Sequence, residues 1–156
     1  MITKRQSSHK PLDKDLCELT IDGEPASKAN SRRLVKMGGK FRVIKSQKAI
    51  DYTKAFDVQC STADTLYEED LAVAIKIFYK SKRPDLDESL ILDLLQDKVY
   101  KNDRSIKFKY VEWGLDRQYP RILVVLGPLD KREEIISRFR ELVEREEEDA
   151  STASAK

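Results

Sequence analysis

The strongest secondary-structure signal in the chain is Leu71-Ala72-Val73-Ala74-Ile75-Lys76-Ile77-Phe78-Tyr79, and it is followed closely by Arg83-Pro84-Asp85-Leu86-Asp87-Glu88. The alternation of large apolar residues in the first segment predicts a central β-strand. Pro84 restricts the backbone where the chain turns after it. If the backbone stays extended there, Asp85 and Asp87 share a face, because they are two residues apart. The sequence therefore predicts an acidic site just beyond a central strand.

A third acid, Asp103, returns after a short predicted helix. Three carboxylates in one place repel one another, and a divalent cation between them relieves the repulsion. We therefore expect Asp85, Asp87 and Asp103 to bind Mg²⁺, with Mn²⁺ as a substitute. Asp93 lies on the intervening helix, where it points either toward this site or to solvent.

Length and composition restrict the class of protein. The chain has 156 residues, of which 40% are hydrophobic, enough for one ordinary core. No apolar run approaches the roughly 18 residues that span a bilayer, and the N-terminus lacks an apolar signal segment. We expect a soluble cytoplasmic protein with no membrane partner.

Cysteine and histidine chemistry is not expected. Cys17 and Cys60 are far apart in the sequence and lack the spacing of metal ligands. This spacing argues against a disulfide framework and against a zinc site. We therefore interpret both residues as buried or idle thiols. The single histidine, His9, lies in a polar N-terminal segment. Any activation of water would have to come from carboxylates or a metal ion.

Charge is distributed unevenly along the chain, although the formal net charge is only +2. Residues 25–54 contain nine Lys or Arg and one acid, a net charge of +8, whereas residues 131–149 contain five basic and eight acidic residues, a net charge of −3. A basic block is typical of phosphate binding, and an ordinary solvated surface is the alternative. The residues expected to contact phosphate groups are Lys28, Arg32, Arg33, Lys36, Arg42 and, near the acids, Lys101.

The order of the remaining signals predicts an α+β fold, a small mixed β-sheet packed with two to three helices. Further strands are expected at residues 16–21, 106–113 and 121–126, and Gly38-Gly39 predicts a hairpin between residues 34–37 and 40–44. One helix is expected from Ser46 to about Cys60. A second begins at Asp87, Glu88 or Ser89 and ends at about Gln96, and a third begins at Lys131. The predicted domain spans residues 16–145, between a flexible segment at 1–15 and a disordered tail at 146–156.

Two segments together match the pattern of one known family. They are Asp85-Leu86-Asp87 and Asp93-Leu94-Leu95-Gln96-Asp97-Lys98-Val99-Tyr100-Lys101-Asn102-Asp103-Arg104-Ser105-Ile106. They resemble the core of the RusA-like Holliday junction resolvases, crossover junction endodeoxyribonucleases common in phages and prophages. That family's pattern is Asp-x-Asp-Asn, a helix with Asp-Ala-Leu-Asn-Gly, and then Tyr-x-Asp-Asp-x-x-Ile. The basic loop, the hairpin and the next helix also resemble the family, so the similarity covers roughly residues 16–126.

The resemblance implies a homodimer that hydrolyses phosphodiester bonds at four-way DNA junctions in recombination and repair, inside a bacterial cell or a phage-infected host. Matched by position, Asp85, Asp87 and Asp103 correspond to the magnesium-binding catalytic acids and Asp93 to the helix aspartate. The resemblance also implies that the phosphate contacts of the basic residues named above are contacts with DNA. The chain departs from the family at Glu88 and Asn102, and its helix is two residues short. It also lacks the family's helix lysine, whose charge would stabilise the transition state. Lys98 and Lys101 are the candidates to replace that lysine.

Other interpretations remain open. The PD-(D/E)xK nuclease pattern lacks its second half here, because no acid stands two residues before Lys107 or Lys109. Asp85-Leu86-Asp87 also fits the metal motif of nucleotide-sugar enzymes, but the chain lacks a nucleotide-binding βαβ pattern. The main alternative is a non-catalytic DNA-binding protein of phage or prophage origin, whose acids only cap helices and flank turns. For the dimer, Phe139, Leu142 and Val143 either form the interface or cover the sheet of their own subunit.

Overall fold

The computed structural model describes residues 10–13, 16–27 and 32–154. Within them the chain forms seven strands and three α-helices. The strands are β1 (Lys10–Asp13), β2 (Leu16–Asp22), β3 (Arg32–Met37), β4 (Lys40–Lys45), β5 (Leu71–Tyr79), β6 (Ile106–Leu115) and β7 (Arg121–Pro128). The helices are α1 (Gln47–Gln59), α2 (Ser89–Leu95) and α3 (Arg132–Ser154), with 3₁₀ turns at Asp103–Ser105 and Leu129–Lys131. The predicted α+β class is confirmed.

The main sheet has five strands in the order β1-β2-β7-β5-β6. All nine residues of β5 are buried, because apolar residues of α1 and α2 pack on one face of the sheet and those of α3 on the other. The predicted central strand is therefore confirmed. β5 and β6 are parallel, so the chain has to cross back over the sheet between them. This crossover, residues 80–105, contains α2 and every acid predicted for the site.

The predicted Gly38-Gly39 hairpin is also confirmed. β3 and β4 form a separate two-stranded antiparallel sheet. Gly38 and Gly39 have φ angles of 60° and 81°. Residues other than glycine rarely adopt such positive φ angles, which a tight hairpin turn requires. α1 follows at once, and the Ser46 side chain accepts a hydrogen bond from the Ala49 N–H at 3.2 Å, as expected of its N-cap.

Helix α3 packs on the sheet of its own chain. Phe139, Leu142 and Val143 are buried in the cluster on that face, so they cover their own subunit and are not free to form a dimer interface. The helix continues to Ser154, beyond residue 145 where the sequence predicts the end of the ordered domain. Glu146 and Glu147 anchor this part, because they bind the buried side chains of Arg121 and Lys76 at 2.9 Å each.

The structure begins earlier than the sequence predicts. Lys10–Asp13 pairs with β2 as an edge strand, whereas no strand was expected before residue 16. Residues 1–9 and 14–15, the remainder of the predicted flexible segment, lie outside the described residues.

Cys17 and Cys60 are buried thiols, as expected, and burial raises the pKa of Cys60 to about 11. Among the described residues, no helix is both long and apolar enough to cross a membrane.

Candidate functional site

Two core aromatic residues hold the backbone of the acidic segment. The Tyr79 hydroxyl, at the end of β5, donates to the Asp85 carbonyl at 3.1 Å and accepts from the Asp87 N–H at 3.2 Å. Trp113 on β6 stacks near Tyr79 with 6.0 Å between ring centroids, and its indole N–H donates to the Pro84 carbonyl at 3.2 Å. Three hydrogen bonds to the backbone of residues 84–87 thus attach an irregular loop to the sheet beneath it.

The side chains of this loop differ in exposure. Asp85 is exposed, whereas Asp87 is half-buried and accepts the Ser89 N–H at 2.9 Å, which ties it to the start of α2. Glu88 reaches across to β6, where its carboxylate lies 2.6 Å from the Lys109 ammonium. The loop therefore presents two aspartates and one ion pair above the sheet.

The environment of Tyr79 is acidic. Burial raises the pKa of the Tyr79 hydroxyl, and the negative charges of Asp87, Glu24 and Glu88 raise it further, although the Asp87 N–H opposes the shift. Glu24 was not predicted as a site residue. Its buried carboxylate binds the Lys48 ammonium at 2.7 Å and the Lys80 N–H at 2.9 Å. No sequence signal identified it, because its neighbours come from α1 and from the crossover.

Asp103 belongs to a second group of acids. Its N–H donates to the Gln96 side-chain oxygen at 3.0 Å, and it begins the 3₁₀ turn capped by Asn102. Burial raises the pKa of the nearby Tyr100 hydroxyl, and the charges of Asp103 and Asp93 raise it further. Tyr100 in turn donates to the Leu92 carbonyl at 2.6 Å. The negative charges that raise the pKa of Tyr100 are those of Asp103 and Asp93, whereas those that raise the pKa of Tyr79 include Asp87.

The turn after α2 has a strained residue where the family pattern has glycine. Asp97 has a φ of 68°, in the left-handed region that favours glycine. Its N–H donates to the Tyr100 carbonyl at 2.7 Å, which closes the turn. Gln96, which stands at the pattern's asparagine, is the residue that binds the Asp103 N–H. The turn thus connects α2 to the position of Asp103.

The predicted three-carboxylate metal site is not preformed. Within the described residues, no three His, Cys, Asp or Glu side chains come close enough to hold one ion together. The expected convergence of Asp85, Asp87 and Asp103 is therefore absent from the described geometry, since Asp103 is held by a different turn. Mg²⁺ is commonly bound by only one or two carboxylates together with water and substrate phosphate oxygens. The oxygen donors of Asp85 and Asp87 fit that smaller requirement.

The two lysines suggested as replacements for the missing helix lysine are engaged elsewhere. Lys98 binds Asp57 at 3.2 Å, and Lys101 binds Glu68 at 3.4 Å. Lys109 contacts the acidic loop through Glu88. The sequence did not single it out for this role, because only the parallel pairing of β5 and β6 brings its strand beside the crossover.

The predicted DNA-binding residues are described only in part. Lys36 and Arg42 are exposed on the hairpin, where Lys36 is paired with Phe41 and Arg42 with Val35. Lys28 lies outside the described residues. Arg32 and Arg33 belong to β3, but their side chains lie outside the described part.

A scan against protein-family models finds no match for this chain, and a search of curated proteins finds none either. The fold and site define a class by themselves. It is a mixed α+β protein with an acidic crossover loop on its sheet and a separate basic hairpin.

Proposed function

We propose that the chain is a Mg²⁺-dependent, structure-selective endodeoxyribonuclease of the RusA-like type, which resolves four-way DNA junctions. The observation that carries this proposal is the attachment of the backbone of residues 84–87, with Asp85 and Asp87 bound to Tyr79 and Pro84 bound to Trp113. Catalytic groups have to be held in position by rigid neighbours, and a loop fixed by core aromatic residues meets that requirement. The left-handed Asp97 at the family's glycine position also supports the resemblance.

Each residue of the loop has a defined role in this proposal. Asp85 and Asp87 would hold the ion, which when bound would neutralise phosphate charge and lower the pKa of a bound water. Ser89 orients the Asp87 carboxylate through its N–H. Lys109, whose ammonium is half-exposed, is available to contact a phosphate oxygen if Glu88 releases it. Asp103 and Asp93 add negative charge beside Tyr100 and are supporting residues.

The oligomer follows from the symmetry of the substrate. A four-way junction has to be cut on two opposed strands, and one acidic loop provides one cutting centre. A C2 homodimer would match the two-fold symmetry of the junction. Because α3 covers its own sheet, the interface has to use another surface, and the exposed edge of the main sheet at β6 is available for it.

The test is cleavage of a synthetic four-way junction with Mg²⁺ or Mn²⁺ by wild-type protein and by Asp87→Asn. We expect the variant to lose cleavage and to bind the junction as tightly as wild type or more tightly, because a negative charge near DNA is removed. Asp64→Asn, an exposed acid in the connection between α1 and β5, is the matched control and should cleave normally.

A non-catalytic DNA-binding protein is the second candidate. The observation that favours it is the hairpin itself, which carries exposed cations on a sheet separate from the acids. Wild-type protein that binds junctions but never cuts them with either metal would contradict the nuclease and leave this function.

A further inference from the structure

We propose that one face of the β3–β4 hairpin binds unpaired bases of single-stranded DNA, with Phe41 as the stacking surface. The inference rests on the proposed function, because branched DNA is where a resolvase would meet unpaired bases. It adds a base-binding surface to a hairpin whose cations were expected to contact only phosphates.

The face is defined by the strand register. Leu34 is paired with Val43, and Lys36 with Phe41. Since residues two apart on a strand point the same way, these four side chains lie on one side of the hairpin. Leu34 and Val43 are each 63% exposed and Phe41 is 66% exposed, so the face is apolar and open to solvent. A contiguous apolar surface of this kind on a soluble domain usually marks a binding site.

Its composition suits a nucleotide. The Lys36 ammonium lies over the Phe41 ring, 6.0 Å from its centroid, so a cation and an aromatic surface meet on this face. A nucleotide presents a base with a π-face and a phosphate, and proteins that bind single strands combine aromatic platforms with basic grooves. Lys40, Arg42 and Lys45 are also exposed on the hairpin, and residues 34–45 contain no acid. A polyanion therefore complements the whole element.

The same charge disfavours a second copy of this hairpin as the occupant. Two such faces in contact would bring the Lys36 and Lys45 side chains of both copies together, and residues 34–45 contain no acid to pair with them. Like charges at that density repel, and burying them without partners costs further free energy. An apolar face surrounded by cations is thus better matched by bases joined to phosphates.

The experiment measures binding of labelled oligothymidylate and of a duplex of equal length, in EDTA so that cleavage cannot interfere. Phe41→Ala should weaken single-strand binding about five- to a hundredfold, the loss of one stacked base, and change duplex binding by less than about twofold. Phe41→Trp should retain single-strand binding, because it keeps an aromatic surface. Tyr119→Ala is the matched control, since Tyr119 is also 66% exposed and lies outside the hairpin.

Three results would overturn the inference. The first is that Phe41→Ala binds the single strand as tightly as wild type, and the second is that it loses equal affinity for the single strand and the duplex. The third is that Phe41→Ala converts a wild-type dimer to a monomer in light scattering, which would assign the face to self-association. Failure of the nuclease proposal gives a different signature, because a protein that never cuts junctions would still show the Phe41-dependent preference for single strands.

Discussion

The Tyr79 hydroxyl accepts the N–H of Asp87 at 3.2 Å, so the last residue of the buried central strand positions the backbone of a predicted catalytic acid. The same hydroxyl donates to the Asp85 carbonyl. The Tyr79 side chain therefore both packs in the core and positions the candidate site. Changes that leave the core intact but remove this hydroxyl should therefore lower both activity and stability.

Tyr79→Phe tests that relationship. We expect junction cleavage under single-turnover conditions to fall at least about tenfold, because the loop loses both contacts, while junction affinity stays unchanged. The free energy of unfolding should fall by about 1–2 kcal/mol, the cost of leaving the Asp87 N–H without its partner. Urea denaturation measures this change. Tyr119→Phe, whose ring is exposed, is the control, and equal cleavage by Tyr79→Phe and wild type would rule out the positioning role.

Lys109→Met tests the cation beside the acidic loop. If Lys109 stabilises charge on the phosphate, the substitution should lower the cleavage rate on the order of a hundredfold with a small change in junction affinity. Lys107→Met, an exposed lysine two positions earlier on β6, should behave like wild type. A purely structural ion pair with Glu88 would instead appear as a loss of stability at an unchanged cleavage rate.

Asp97→Gly tests the strained turn after α2. Glycine adopts a positive φ without a steric cost, so the free energy of unfolding should stay the same or rise by up to about 1 kcal/mol. Asp97→Val should lower it by about 1–2 kcal/mol, because a β-branched residue is poorly accommodated there. Denaturation curves of both variants provide the comparison. A destabilised glycine variant would mean that the Asp97 side chain stabilises the turn.

The ion pairs under α3 predict acid sensitivity. Burial alone would raise the pKa values of Glu112 and Asp116, but hydrogen bonds lower both below their ordinary values of 4.5 and 3.8. The bonds come from Arg140 and Tyr110 for Glu112, and from the Tyr119 N–H and Arg121 for Asp116. A carboxylate with a lowered folded-state pKa stabilises the fold above its unfolded pKa, and the stabilisation is lost as pH falls through the folded value.

Stability should therefore decrease as pH falls below about 4.5, and Glu112→Gln should reduce the steepness of that decrease. Urea midpoints between pH 7 and pH 3 measure the effect. Glu133→Gln, an exposed residue in the first turn of α3, is the control. An identical pH profile for Glu112→Gln and wild type would show that Glu112 does not contribute.

The proposed dimer predicts a mass of twice 18.1 kDa in light scattering at micromolar concentration, or on addition of junction DNA. Phe139 and Leu142 are buried against their own sheet, so substitutions there should unfold the subunit rather than separate two subunits. A monomer mass both with and without junction DNA would contradict paired cleavage by this protein.

The sequence by itself determined the elements whose signals are local. The alternation of Leu71–Tyr79, the Gly38-Gly39 turn and the Ser46 cap each depend on a few adjacent residues, and the structure contains all three. The acids were identified as a pattern along the chain, which does not specify how far apart they lie in space. The sequence could not show that, among the described residues, Asp103 starts a 3₁₀ turn bonded to Gln96 and does not join Asp85 and Asp87 in a three-carboxylate group.

Only the tertiary structure decided which distant residues meet. The parallel pairing of β5 with β6 places Lys109 beside Glu88 and Trp113 above Tyr79, although 21 and 34 residues separate these pairs in the sequence. Helix α3 likewise continues past residue 145 because Glu147 and Glu146 bind Lys76 on β5 and Arg121 on β7. Both cations are buried and therefore require carboxylate partners. Contacts of this kind depend on strand order and register, and local propensity carries no information about either.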